Sequence, residues 1–190
     1  FFNLHGEDPI SDLEQMILNH PNARLVSFAH ASNVLGYLRP VKELAFVAKK
    51  HGLITVVDGA QVAGHAPVDL RLLDVDFYAF SAHKMLGPSG LGVLYGKKEL
   101  LEAMLPLYYG GGSNVDFNQQ QEYALKKPPH RFESGTPAIE SVLAFSKAID
   151  YLKQHDLKVL YEHTKALSTY AYEKLSSLSH VNIYNPYSDL

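Results

Sequence analysis

An aspartate and a lysine, each placed just past an apolar stretch, are the residues of this chain that first ask for a chemical explanation. Asp58 directly follows Leu53–Val57 (LITVV). Twenty-six positions later Lys84 closes the run Ser81-Ala82-His83-Lys84, which directly follows Val75–Phe80 (VDFYAF). Short apolar runs of this kind read as buried strands. Ligands of open α/β sheets gather at the carboxyl ends of the strands, so the acid and the amine are expected to meet in one crevice. A lysine amine forms Schiff bases with carbonyl compounds. A carboxylate keeps a pyridine nitrogen protonated. Pyridoxal 5′-phosphate (PLP) requires both, because its ring withdraws electrons well only when that nitrogen carries a proton.

Taken singly, these residues have ordinary explanations. Asp-Gly after a strand is a common turn pair, lysines are mostly solvated, and Gly87-Pro88-Ser89-Gly90 by itself says only that the chain turns. Spacing and strand context give the combination its meaning.

The elements that must position these residues alternate in type. Ser11 and Glu14 have the spacing of a capping box, and Leu13, Met16 and Ile17 form one apolar helix face behind it. Arg24–Ala29 reads as a strand. Pro40 suits the first turn of a second helix, with Val41, Leu44, Ala45 and Ala48 on one face and Gly52 closing it. LITVV reads as a strand buried on both faces, and VDFYAF and Leu91–Tyr95 as two more. Strand and helix in alternation predict an α/β fold with a mostly parallel central sheet.

From Tyr109 to Pro129 the periodicity fades. Gly110-Gly111-Gly112, Gln119-Gln120-Gln121 and Pro128-Pro129 predict a long, loosely packed loop. Thr136-Pro137 then opens a helix carrying Ile139, Val142, Leu143, Ile149 and Leu152, with Thr136 as its N-cap. A second helix is expected over Leu157–Leu178 and a strand over Val181–Tyr184. The organisation expected is a larger unit over 1–155 and the start of a smaller α+β one over 156–190.

Composition removes several function classes. The 190 residues are 46% hydrophobic and 19% charged, with a formal net charge of −3, so nothing favours a nucleic-acid or membrane-surface partner. No run approaches the roughly 18 apolar residues of a membrane span. With no cysteine in the chain, disulfides and thiolate chemistry are excluded within it, in keeping with a reducing compartment. The first residues lack the pattern of a signal peptide. A cytoplasmic protein is expected, and the chain, which starts at Phe1, reads as part of a longer one.

The stretch from Asp58 to Pro106 (DGAQVAGHAPVDLRLLDVDFYAFSAHKMLGPSGLGVLYGKKELLEAMLP) resembles the core of the class V aminotransferase superfamily, the PLP enzymes of fold type I. Within it the likeness is to cysteine desulfurases and their selenocysteine lyase relatives. Ser32-Asn33-Val34-Leu35-Gly36, Gly110-Gly111-Gly112 and Arg131–Pro137 (RFESGTP) are similar to further blocks of that family. Together they cover about Leu25 to Tyr151.

The resemblance implies a three-layer PLP-transferase fold and assigns roles by position. Asp58 matches the aspartate at the pyridine nitrogen and Gln61 the glutamine at the cofactor's phenolic oxygen. Ser81 and His83 match phosphate ligands, and Lys84 the Schiff-base lysine. Asn33 matches an asparagine near the substrate carboxylate. Thr136 matches a residue that reaches the phosphate of a partner subunit's cofactor, so a homodimer is implied, as is a sulfur-acceptor protein.

The departures are as specific. Nothing in Phe1–Ser32 resembles the family segment that supplies further phosphate ligands and a stacking histidine. The persulfide-forming cysteine and the carboxylate-binding arginine fall beyond Leu190. By itself this stretch is expected to hold PLP weakly and not to desulfurise cysteine. The reading is a part of a cysteine desulfurase-like enzyme that serves iron–sulfur cluster assembly. The alternatives are another class V enzyme (kynureninase-like, epimerase-like or aminotransferase) and a scaffold that kept the fold without the chemistry.

Overall fold

The computed structural model describes residues 8–117 and 123–184. One sheet carries most of the residues singled out above. Its strands lie side by side in chain order: β1 (Leu25–Ala29), β2 (Ile54–Asp58), β3 (Phe77–Ser81) and β4 (Gly92–Gly96). The first three run parallel, and β4 returns antiparallel to β3. The α/β class and the mainly parallel sheet are as the alternation of elements predicted. In register, Ala29 faces Asp58 and Asp58 faces Ala79, so β1 and β2 end level and β3 runs two residues further, to Ser81.

Helices α1 (Pro9–Asn19) and α2 (Val41–Lys50) cover one face of the sheet, and a short α3 (Leu70–Leu73) joins β2 to β3. Val41, Leu44, Ala45 and Ala48 are buried along one side of α2, the i, i+3, i+4, i+7 stripe read from the sequence. They meet Leu13 and Ile17 of α1 and Val26, Phe28, Val57 and Tyr78 of the sheet in one core. Burying each large apolar side chain stabilises by about 1.5–3 kcal/mol, so this layer holds the strand ends in place.

Three local expectations are corrected. Ser11 is not the cap of α1. The carboxylate of Asp8 accepts from the N–H groups of Ile10 at 3.2 Å and Ser11 at 3.0 Å, with Pro9 in the first turn. A proline there has no N–H to satisfy, which favours the earlier start. Pro40 is the N-cap of α2, one residue before its expected place. In β2, only Thr55 and Val57 are fully buried, while Ile54 and Val56 are half-buried. The strand alternates because α1 and α2 cover one face, whereas on the other Leu25 is 50% exposed.

At the amino ends of the strands lies a polar network. Asp76 is buried, and its Oδ2 accepts from Thr55 N–H at 2.9 Å and from the Thr55 hydroxyl at 3.1 Å. The Thr55 hydroxyl oxygen in turn accepts from Asp76 N–H at 2.8 Å. Lys97 Nζ lies 2.9 Å from both Asp76 Oδ1 and Asp74 Oδ1, and Lys49 also pairs with Asp74.

After α4 (Lys98–Ala103) the structure departs from the expected loop. Asn114–Phe117 (β5) and Tyr123–Leu125 (β6) form an antiparallel hairpin; the three glutamines 119–121 lie outside the described residues. The base of the hairpin is well packed. Ser113 is fully buried and its hydroxyl donates to Gly110 O at 2.9 Å, while Lys126 Nζ donates to Gly112 O at 2.7 Å. Gly110 and Gly112 let the chain pass close to the backbone carbonyls of Ser134 and Glu133, where a Cβ would collide, a use that composition alone did not show.

Helices α5 (Ile139–Leu152) and α6 (Leu157–Ser176) follow. The N-cap of α5 is Ala138, with no side-chain cap, so Thr136 precedes the helix without capping it. Phe145 and Leu152 are the buried residues of α5, whereas Ile139, Val142 and Leu143 are 55%, 50% and 64% exposed. Residues 181–184 form no strand, having no strand neighbour to pair with among the described residues.

Candidate functional site

The carboxyl ends of β1, β2 and β3 hold nearly all the residues singled out by the sequence. Asp58 ends β2, and its Oδ1 accepts from Ala60 N–H at 2.9 Å, which fixes the turn that follows and aligns the carboxylate. The turn continues through Gln61 to Ala66, with Val62 N–H donating to Gly59 O and Ala66 N–H to Val62 O. Val62 is buried beneath it, so Gln61 is held on a rigid loop.

Ser81 ends β3 and is followed by a 3-10 turn, Ala82–Met85, that carries His83 and Lys84. The turn is tied at both ends: Ala82 N–H donates to Leu91 O at 3.0 Å and Gly87 N–H to Ala82 O at 2.9 Å. Leu86 closes it in the left-handed conformation at φ 61°. Phe145 of α5 packs against Gly87. Lys84 is therefore borne on a short, braced segment, not on a long loop.

After β1, the Ser32 hydroxyl oxygen accepts from the N–H groups of Val34 at 3.2 Å and Leu35 at 3.1 Å, folding residues 32–36 into a turn that leaves Asn33 exposed. Asn33 and Gln61 line one open cavity of about 310 Å³, together with Tyr161, Thr164, Lys165 and Ser168 of α6. Thr136 is exposed on the segment before α5, away from these strand ends in sequence and without a described partner.

The polar side chains of Gln61, Ser81, His83 and Lys84 make no hydrogen bond or ion pair with any other described residue. A carboxylate, an amide, a hydroxyl, an imidazole and an amine thus stand at one sheet edge with almost all their bonding capacity unused. That donor set fits a phosphorylated pyridine aldehyde. Among the described residues no group of three His, Asp or Glu is arranged for a metal ion.

Two nearby residues were not found from the sequence. His30 Nδ1 is 2.8 Å from the Tyr78 hydroxyl. Burial alone pushes the His30 imidazole down to about 4, so it is neutral at physiological pH. Burial, and then the charge of Asp58, push the Tyr78 phenol up, so it stays protonated. The signal available was position: His30 is the first residue after β1, level with Gly59 after β2.

The profile of the family described as "Aminotransferase class-V" matches residues 2–189. This chain belongs to that family. A protein of Halalkalibacterium halodurans named "Probable cysteine desulfurase" is 43% identical over 95% of this chain and 44% of its own length. Among solved structures, the cysteine desulfurase CsdA of Escherichia coli superposes with a TM-score of 0.82 at 36% identity, covering 89% of this chain and 42% of CsdA. The cystine C-S lyase C-DES, in complex with its reaction product cysteine persulfide, gives 0.84 at 27% identity over 98% of this chain and 50% of the lyase. The likeness to cysteine desulfurases expected from the motifs is found in both sequence and fold. The chain spans about 44% of the curated relative's length. No helix among the described residues is long and apolar enough to cross a membrane.

Proposed function

We propose that this chain is the lysine-bearing part of a PLP-dependent cysteine desulfurase, which takes L-cysteine to L-alanine and leaves the sulfur as a persulfide on an enzyme cysteine outside the chain. The observation that carries this reading is the unpaired set Gln61, Ser81, His83 and Lys84 beside the aligned carboxylate of Asp58.

In this reading Asp58 faces the pyridine nitrogen, Gln61 the phenolic oxygen, and Ser81 and His83 the phosphate. Lys84 would hold the cofactor through its amine and would move a proton at the substrate α-carbon. When bound, PLP supplies the electron sink for that step. Asn33 orients the substrate carboxylate. Thr136 serves the phosphate of a second subunit, so the whole enzyme is a homodimer. Residues 1–155 belong to the cofactor-binding domain and 156–190 to a smaller one. Sulfur then passes to an acceptor protein of iron–sulfur cluster assembly in the cytoplasm.

The likeness to C-DES favours one second reading, a C–S lyase that acts on cystine and releases free cysteine persulfide. Incubating the full-length enzyme with L-cysteine and with L-cystine in turn tests both. The desulfurase forms alanine from cysteine, one per sulfur transferred. The lyase forms pyruvate from cystine and no alanine.

A further inference from the structure

The roles above leave unused a titratable pair, a buried tyrosine and a half-buried histidine, and it lies directly behind Asp58. Tyr78 is 1% exposed, and its hydroxyl is 2.8 Å from His30 Nδ1, with the two rings edge to face at 5.9 Å and 87°. The phenol has no other described acceptor, and a neutral imidazole offers one bare nitrogen. The phenol therefore donates to Nδ1.

Asp58 is level with Ala79, so its side chain leaves the sheet on the face opposite that of Tyr78. The Tyr78 ring instead fills the space beside the next residue: a Cβ placed on Gly59 would collide with that ring. Gly59 N–H donates to Ala79 O at 2.8 Å. The peptide after Asp58 is thus confined by a hydrogen bond on one side and a tyrosine ring on the other. Packing in the core holds the ring, and the hydrogen bond of its hydroxyl to His30 adds a directional restraint at the end that faces the turn.

The tether itself is locked. His30 N–H donates to Asp58 O at 2.7 Å, His30 O accepts from Arg39 N–H at 2.9 Å, and Arg39 Nη1 donates to Ala29 O at 2.8 Å. One histidine consequently joins the Asp58 turn to the base of the loop that carries Asn33.

We propose that the Tyr78–His30 hydrogen bond is a positioning device for Asp58, holding the Asp58-Gly59 turn so that the carboxylate stays aimed at the ring nitrogen of a bound pyridine cofactor. This rests on the assignment of Asp58 made under the proposed function, and the experiment separates the two.

The test uses the full-length enzyme loaded with PLP labelled with 15N in the ring. Tyr78→Phe and His30→Ala shift the 15N resonance toward the unprotonated position and weaken PLP binding to the apoenzyme by about tenfold, as expected for the loss of one hydrogen bond. His30→Asn, which keeps an acceptor where Nδ1 stood, recovers most of both. Asp58→Asn is the control and removes the protonated resonance. If Asp58→Asn leaves the resonance in place, the assignment of Asp58 is wrong and the proposal goes with it. If Asp58→Asn acts but Tyr78→Phe and His30→Ala lower only the melting temperature, with resonance and affinity unchanged, the pair is packing and the proposal alone is overturned.

Discussion

Gly64 lies so close beneath Lys84 that a Cβ on the glycine would collide with the lysine's backbone carbonyl oxygen, with Met85 Cα only 3.1 Å away. The turn that presents Gln61 and the turn that presents Lys84 are therefore in backbone contact, and neither moves without the other. Gly64→Ala pushes them apart. A misplacement of about 1 Å costs roughly 10²-fold in rate, so kcat of the full-length enzyme falls on that scale. Turnover of cysteine by the purified variant measures it.

Lys84 is the expected point of covalent attachment. Borohydride reduction of the holoenzyme followed by peptide mapping should place the pyridoxyl group on Lys84. Lys97 is occupied by Asp74 and Asp76 at the other end of the sheet and should carry none. Label on Lys97 or Lys98 would remove Lys84 from the mechanism.

Asp58→Asn keeps the hydrogen bond from Ala60 N–H, since an amide oxygen accepts as a carboxylate does, and removes only the charge. The fold and most of the cofactor affinity survive, while kcat drops by much more than KM changes. Near-normal turnover would make Asp58 a turn residue and nothing more.

A fourth expectation concerns acid stability. Burial pushes the Asp76 carboxyl up, but the N–H and hydroxyl of Thr55 and the ammonium of Lys97 outweigh it and hold the group below the usual carboxylate range. The folded value lies below the unfolded one of about 3.9, so the contribution is present above about pH 4 and is lost as pH falls through the folded value. Thr55→Val removes one donor and leaves Asp76 N–H unpaired, costing about 1–3 kcal/mol at pH 7. Urea unfolding at pH 7 and pH 3 should show a smaller gap between the two proteins at the lower pH.

The placement of the candidate residues was legible because they follow apolar runs. Asp58 and Lys84 follow runs whose apolar character declares them strands, and the structure sets them at the carboxyl ends of neighbouring strands. The stripe Val41, Leu44, Ala45, Ala48 was legible for the same reason: a period of 3.6 needs no tertiary knowledge. Other features were hidden because they depend on partners far away in sequence. The tether between His30 and Tyr78 spans 48 positions. Ser113 is tied to a residue thirteen positions on, Lys126 N–H donating to its carbonyl, and a Gly- and Gln-rich composition reads as open chain until that pairing is known. The cap of α1 was misplaced because two capping signals overlap within four residues, Asp8-Pro9 and Ser11 with Glu14, and only the backbone direction decides between them.

The network of Thr55, Asp76, Asp74, Lys97 and Lys49 lies at the amino ends of the strands, while Asp58 and Ser81 lie at the carboxyl ends, three to five residues or roughly 10–17 Å further along. Anchorage and the proposed chemistry thus occupy opposite poles of one sheet. Variation at the anchored pole can raise or lower heat tolerance while the reactive pole keeps its geometry. For an engineer or for natural drift, thermal adaptation in this protein need not trade against rate.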